Sequence, residues 1–293
     1  MLIRTKITGI GDPFILREGN VYYAFATSAA DGFRFFTSRD LLDWEEGGYC
    51  YSGSRWAENC FWAPEVYRYR GKYYLLYTGR WNKNHSLRIG LAVADKPQGP
   101  YRDINDGPLF DLGYACIDAT LLFDGDSVYL YFVRDCSENV VDGQHISEIY
   151  CAELSSDLLS FKTEPKKITT PDALWERESD PVWHWNEGPA VLKHGGKYYL
   201  NYSVNFYASP DYSVACAVAD DPTGPFIKYA DNPVLKKRAG DFSGPGHNSF
   251  FYDEKGELFT AFHIHTDPES PSGDRRMCIA KAGFDGGRFY IEA

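Results

Sequence analysis

No stretch of 18 apolar residues occurs in this 293-residue chain, which excludes an ordinary membrane-spanning helix. The opening residues, MLIRTKITGIGDPF, hold no apolar segment of the kind a secretory signal needs, so a cytoplasmic location is the expectation. Basic residues are in the minority: 30 Lys and Arg stand against 41 Asp and Glu, for a net charge of −11. That balance argues against nucleic acid or an anionic membrane surface as a partner and leaves a neutral small ligand open. Cysteine never occurs as Cys-x-x-Cys, and its count, 7, is odd. Several of Cys50, Cys60, Cys116, Cys136, Cys151, Cys216 and Cys278 fall in strand-like runs, where a thiol behaves as a small hydrophobe, so reduced cysteines are expected. Helical periodicity is missing from nearly the whole chain.

What is abundant is aromatic. Phe, Trp and Tyr make up 16% of the residues within a 44% hydrophobic content, enough to fill a large core. The aromatics recur in a pattern. A turn glycine followed by an aromatic strand appears as GNVYYAFATS from 19, GKYYLLYTGR from 71, GDSVYLYFVR from 125, GKYYLNYSVN from 196 and GELFTAFHIH from 256. About one strand length ahead of each stands a run with a polar head: GDPFIL (Asp12), WAPEVY (Glu65), IDATLLF (Asp118), NEGPAVL (Glu187) and GHNSFF (His247). Outer segments match as well, SRDLLDW with SSDLLSF and ADKPQGPY with ADDPTGPF.

Five such units of short strands predict an all-β fold: a five-bladed β-propeller of four-stranded antiparallel blades, forming one domain over residues 1–293. The apolar start LIRTKI is expected to pair into the last blade and close the ring. A β-sandwich is the alternative, but it gives no reason for a fivefold repeat with polar heads in register. In a propeller the first strand of each blade lines the central channel, so Asp12, Glu65, Asp118, Glu187 and His247 should surround one cavity. Carboxyl groups crowded together raise one another's pKa, an arrangement hard to justify as structure alone. Two carboxyls in unlike surroundings can serve as general acid and general base across a glycosidic bond. Glu187, beside Gly-Pro at the mouth of an apolar strand, suits the protonated partner.

The segments GDPFIL, FWAPEVY, IDATLLFDGD, EGPAVLKHGGKYYLNYS and GPGHNSFF, in this order and spacing, resemble glycoside hydrolase family 43 over essentially the whole chain. The resemblance implies a five-bladed propeller that cleaves β-xylosides and α-L-arabinofuranosides with inversion. It implies Asp12 as general base, Glu187 as general acid, and Asp118 as the residue that tunes and orients the acid. It also implies a Ca²⁺ at the axis near His247, held largely through water, and no organic cofactor. An Arg of the last blade is implied at the sugar; in DRRMCIA, strand alternation lets only one of Arg275 and Arg276 face inward, and Arg275 is favoured. Trp62 matches a sugar-contacting position. Glu65 is grouped with the substrate-binding residues, and Phe33, Phe206 and Tyr207 are expected in loops that could wall the pocket. Trp44 is expected on an outer strand; Trp183 and Trp185 could be rim residues, and spacing does not decide it.

Many β-xylosidases of the family carry a C-terminal β-sandwich, whereas this sequence ends at Ala293 directly after the fifth unit, which leaves arabinofuranosidase, xylosidase or another pentosidase open. The expected activity is exo-hydrolysis of small plant-derived, pentose-containing oligosaccharides. Two other readings compete. A retaining fructoside-type propeller hydrolase shares an acidic triad, but neither a WMNDPNG-like first motif nor an RDP motif is present. A non-catalytic sugar-binding propeller has no use for three carboxylates.

Overall fold

The structure, a computed structural model, describes residues 2–293. Nearly all of its regular structure is strand; the described residues contain a single short helical segment, the 3₁₀ turn Leu174–Glu176. Each repeated aromatic segment forms the second strand of an antiparallel sheet, and the polar-headed run before it forms the first. The glycines of the connecting hairpins, Gly19, Gly71, Gly125, Gly196 and Gly256, all have positive φ, the conformation a tight turn demands.

Sheet 1 comprises Gly11–Glu18, Val21–Thr27, Gly32–Ser38 and Glu45–Ser52. Sheet 2 comprises Ala57–Tyr69, Lys72–Trp81, Leu87–Ala94 and Arg102–Asp103. Sheet 3 comprises Cys116–Asp124, Ser127–Arg134, Glu148–Leu154 and Lys166–Thr169. Sheet 4 comprises Asn186–His194, Lys197–Val204, Ser213–Ala219 and Ile227–Lys228. Sheet 5 has Gly246–Tyr252, Leu258–His265 and Arg275–Asp285, and takes its next strand from the other end of the chain. There Leu2–Thr8 pairs with Arg275–Asp285, Ile3 opposite Ile279, as the sequence predicts; Arg288–Glu292 adds a fifth strand.

The first strands of sheets 1 and 2, 2 and 3, 3 and 4, 4 and 5, and 5 and 1 touch in turn, so the sheets follow one another around a closed circuit. Separate apolar cores fill the spaces between neighbours. Phe14, Phe25, Val66 and Leu75 pack sheet 1 on sheet 2, and Leu76, Leu121 and Phe132 pack sheet 2 on sheet 3. Ile117, Val133, Leu200 and Tyr202 join sheets 3 and 4; Val214 with Phe262 joins 4 and 5; Ile15, Ala24, Phe259 and Ile279 join 5 and 1. At about 1.5–3 kcal/mol for each large side chain buried, these cores hold the circuit closed.

Phe33 belongs to the first of them. It lies on the third strand of sheet 1, fully buried against Tyr51, Phe61 and Tyr77, and does not wall a pocket. Trp44 packs at the edge of the core between sheets 5 and 1, its indole N–H donating to the Leu41 carbonyl. The seven cysteines are all unpaired, and six of them are buried. Among the described residues no helix is long and apolar enough to cross a membrane.

Candidate active site

The first strand of each of the five sheets carries a comparable register break, a single one in four of them and the last of three in sheet 2. The breaks lie between Gly11 and Phe14, Trp62 and Glu65, Ile117 and Thr120, Glu187 and Ala190, and Gly246 and Ser249. One residue in each break turns to positive φ: Asp12 (55°), Ala63 (46°), Asp118 (53°), Gly188 (53°) and His247 (48°). A bulge of this kind re-aims a side chain out of the pleat, and a left-handed non-glycine residue, as at four of the five breaks, costs roughly 1–3 kcal/mol, so the fivefold recurrence of the bulge marks the centre of the circuit as a built site.

The N–H of each turned residue leaves the strand ladder and needs another acceptor. In four sheets the preceding sheet's second strand provides it. Asp12 N–H donates to His263 Nδ1 (3.2 Å), Ala63 N–H to Thr27 Oγ1 (2.9 Å), Asp118 N–H to Thr78 Oγ1 (3.1 Å) and His247 N–H to Ser203 Oγ (2.7 Å). The matching position in sheet 3, opposite Ile117, is Val133, which has no acceptor to offer. Gly188 N–H goes instead to Asp118 Oδ2 (3.0 Å), tying Asp118 to the residue directly after Glu187.

This register explains which predicted residues meet. A cavity of about 270 Å³ is lined by Asp12, Asp118, Glu187 and His247, together with Trp62, Arg275, Phe206 and Tyr207. Glu65 is not among its lining residues. The turned residue of sheet 2 is Ala63, with Trp62 before it as Glu187 is before Gly188, so Glu65 falls two positions too late. Its buried carboxyl accepts from the Tyr67 hydroxyl, which also bonds Thr120 Oγ1 (2.9 Å) between sheets 2 and 3. Grouping Glu65 with the substrate-binding residues is therefore corrected.

Burial pushes the Glu65 carboxyl from 4.5 up to about 8, against the hydrogen bonds from Tyr67 and Thr120. Because the folded pKa is raised, stability from this group is full at low pH and lost as pH rises from 4.5 through about 8. Glu65→Gln, permanently neutral, should gain on the parent protein as pH rises, the difference growing by roughly 3–5 kcal/mol between about pH 5 and about pH 9. Denaturant melts at both pH values measure it; a constant difference would show that Glu65 is ionised at its site.

The carboxyls in the cavity are pushed in opposite directions. Burial opposes the charge on Asp12, but Arg275, His247 and His263 outweigh it, together with a hydrogen bond donated by Thr27, and hold the group well below the usual carboxylate range. Arg275 Nη1 lies 3.1 Å from Asp12 Oδ1, His247 Nδ1 lies 3.3 Å from it, and Thr27 Oγ1 donates to Oδ2 at 2.6 Å. Gly11 makes this possible: a Cβ there would lie 2.0 Å from Arg275 Nη2. Arg276 faces the other way and donates to the Thr5 carbonyl. Burial, with the charge of Asp118 next, raises the Glu187 carboxyl well above its ordinary value. Asp118 is itself raised by burial, with Asp12 adding to the shift while His247 and the Gly188 N–H oppose it. One carboxyl held ionised and another held protonated, facing one small cavity, make an arrangement that can serve as a general base and a general acid.

Aromatic rings form part of the cavity wall. Trp185 lines the cavity and packs on Phe206, with ring centroids 5.4 Å apart, and Phe206 packs on Tyr207. The Arg275 guanidinium lies over the Tyr207 ring. Trp183 is not part of the lining; it stacks on His145 in a small sheet of Val140–Val141, Gln144–Ile146 and Trp183–His184. Four lining residues, Thr27, Ile117, Asp135 and Tyr212, escape the sequence reading. Asp135, a buried carboxylate, follows directly on the third aromatic repeat. Tyr212 directly precedes the third strand of sheet 4, with no motif around it. Among the described residues no group of three or more His, Cys, Asp or Glu converges as metal ligands, and His247 turns Nδ1 towards Asp12 and Asp118. These side chains do not form a direct site for Ca²⁺, a hard cation that takes six to eight oxygen ligands.

The sequence profile of glycosyl hydrolases family 43 matches residues 7–289. The chain belongs to this family. A solved structure described as a thermostable family-43 glycoside hydrolase is 46% identical and superimposes with a TM-score of 0.95, covering 99% of this chain and 95% of that one. The Aspergillus niger beta-D-galactofuranosidase xynD is 28% identical over 285 residues, covering 90% of this chain and 76% of its own length. A Bacteroides ovatus xylosidase/arabinosidase is 30% identical over 190 residues, 58% of this chain and 56% of that protein. Membership of family 43 makes the chain a glycoside hydrolase whose substrates are carbohydrates, in keeping with a cavity lined by carboxyl groups and aromatic rings.

Proposed function

We propose that this family 43 chain is an inverting exo-hydrolase that releases pentoses, α-L-arabinofuranosyl or β-D-xylosyl, from the ends of small oligosaccharides. Asp12 acts as the base that activates water, Glu187 as the acid that protonates the leaving oxygen, and Asp118 keeps Glu187 protonated and aimed. The observation that carries the reading is the opposite tuning of Asp12 and Glu187 in one cavity. A cavity of about 270 Å³ lies at the small end of ligand sites, which favours a chain end over the middle of a polysaccharide. Trp62 and Arg275 are assigned to the sugar in the cavity, and Phe206 with Trp185 to the unit beyond the scissile bond. The relatives' names, a galactofuranosidase and a xylosidase/arabinosidase, support pentose or furanose rings as the sugar class. The cyclic contacts of the five sheets, and a core in each space between them, support reading them as the blades of a five-bladed propeller.

A panel of nitrophenyl pentosides with arabino- and xylo-oligosaccharides tests the sugar and the direction of attack. Release of single pentoses, with the first-formed product seen by NMR as the inverted anomer, is the expected outcome. A retained anomer would make the second carboxylate a nucleophile and end the base assignment.

A further inference from the structure

Glu187 has one side-chain hydrogen-bond partner among the described residues, and it is neither Asp118 nor Asp12. The Tyr212 hydroxyl donates to Glu187 Oε1 at 2.8 Å. Tyr212 is 1% exposed, and its ring lies parallel to that of His263, at an interplanar angle of 2° with centroids 5.5 Å apart. His263 is in turn fixed by the Asp12 backbone N–H, which donates to its Nδ1. Gly246 leaves the space the ring occupies, since a Cβ at that position would lie 2.0 Å from Tyr212 Cε1. The phenol is therefore hemmed in by the His263 ring and the Gly246 backbone, with its hydroxyl on one oxygen of the acid.

We propose that Tyr212 is a positioning residue that confines the catalytic proton of Glu187 to Oε2 and stabilises the carboxylate left once that proton has gone. This rests on the proposed role of Glu187 as the acid. A phenol donating to Oε1 leaves that oxygen as an acceptor, so the carboxyl proton resides on the other. When the proton moves to the leaving oxygen, the neutral acceptor becomes an anion, and the hydrogen bond from Tyr212 strengthens at that moment. Burial raises the Tyr212 phenol well above 10, with the Glu187 charge adding to the shift, so it remains a donor throughout. The other titratable groups around Glu187 are Asp118, Asp135, Asp12 and the Cys136 thiol, with His247 and Arg275 on the same cavity; none of them donates a hydrogen bond to it.

Tyr212→Phe keeps the ring and removes the donor. Hydrogen bonding to the anion favours ionisation, so its loss raises the Glu187 pKa, and the alkaline limb of kcat/KM should move to higher pH by about one unit. On an unactivated disaccharide kcat should fall about tenfold, with KM little changed, while a nitrophenyl glycoside loses much less. A role limited to packing would lower the melting temperature and leave the limb in place. Gly246→Ala, which displaces the same ring by a different route, should reproduce the shift. Glu187→Gln measured alongside separates the two claims. If Glu187→Gln retains full activity on the disaccharide, Glu187 is not the acid and both assignments fall. If Glu187→Gln loses that activity but Tyr212→Phe leaves the limb unmoved, only the role of Tyr212 is overturned.

Discussion

Glu187→Gln should fold as the parent does and lose hydrolysis of unactivated disaccharides by about 10²–10⁴-fold, the usual worth of general acid catalysis. The amide has the shape of the carboxylic acid and can still accept from Tyr212 at Oε1, so the register break between Glu187 and Ala190 and the hydrogen bond from Gly188 N–H to Asp118 have no reason to change. What disappears is the proton. A sugar alkoxide is a poor leaving group and needs that proton in the transition state, whereas a nitrophenolate leaves nearly unaided. The loss on nitrophenyl glycosides should therefore be far smaller. Because burial and Asp118 hold Glu187 protonated above the ordinary carboxyl range, the alkaline limb of the parent's pH profile belongs to this group, and it should vanish in the variant. kcat/KM against pH for both substrates checks all three statements.

Asp12→Asn should damage both substrate types by a similar factor, again about 10²–10⁴, because water must be activated whatever group departs. Its surroundings are built for a permanent anion: Arg275 at 3.1 Å, His247 Nδ1 at 3.3 Å and the Thr27 hydroxyl at 2.6 Å converge on the carboxylate. Asparagine would leave Arg275 facing a neutral group. Arg275 is 11% exposed, so this variant should also lose stability, by about 1–3 kcal/mol for an imperfectly satisfied buried charge. Melting curves separate that loss from the kinetic one. If Glu187→Gln and Asp12→Asn reduced the two activities in the same proportion, the division of labour between them would be wrong.

The strands, their order and the closing of the ends were legible in the sequence because they depend on local rules. Alternating apolar residues after a turn glycine make a second strand wherever they occur, and five copies of the pattern give five sheets. Alternation likewise required that only one of Arg275 and Arg276 face the site, without deciding which. The carboxylates of GDPF, IDAT and NEGP stood out because each heads an apolar strand, where a charged group needs a reason.

The rest depended on the third dimension. A bulge shifts the register by one residue, and whether the re-aimed residue is the polar head itself, its neighbour, or an alanine two positions earlier leaves no mark in composition. That is why Ala63 and Trp62 stand where Glu65 was expected, and why Phe33, on a strand rather than a loop, is buried. Asp135, just after the strand Ser127–Arg134, and Tyr212, just before the strand Ser213–Ala219, reach the cavity only through the folding of their sheets. Val133 shows the principle most plainly. In sequence it is one apolar residue in an aromatic strand; in the fold it is the one register position of five without an acceptor for the next sheet's turned N–H. Sequence determined which residues could ionise, but burial and neighbours set their pKa, and contacts between sheets distant in the chain decided that Asp12 is held as an anion and Glu187 as an acid.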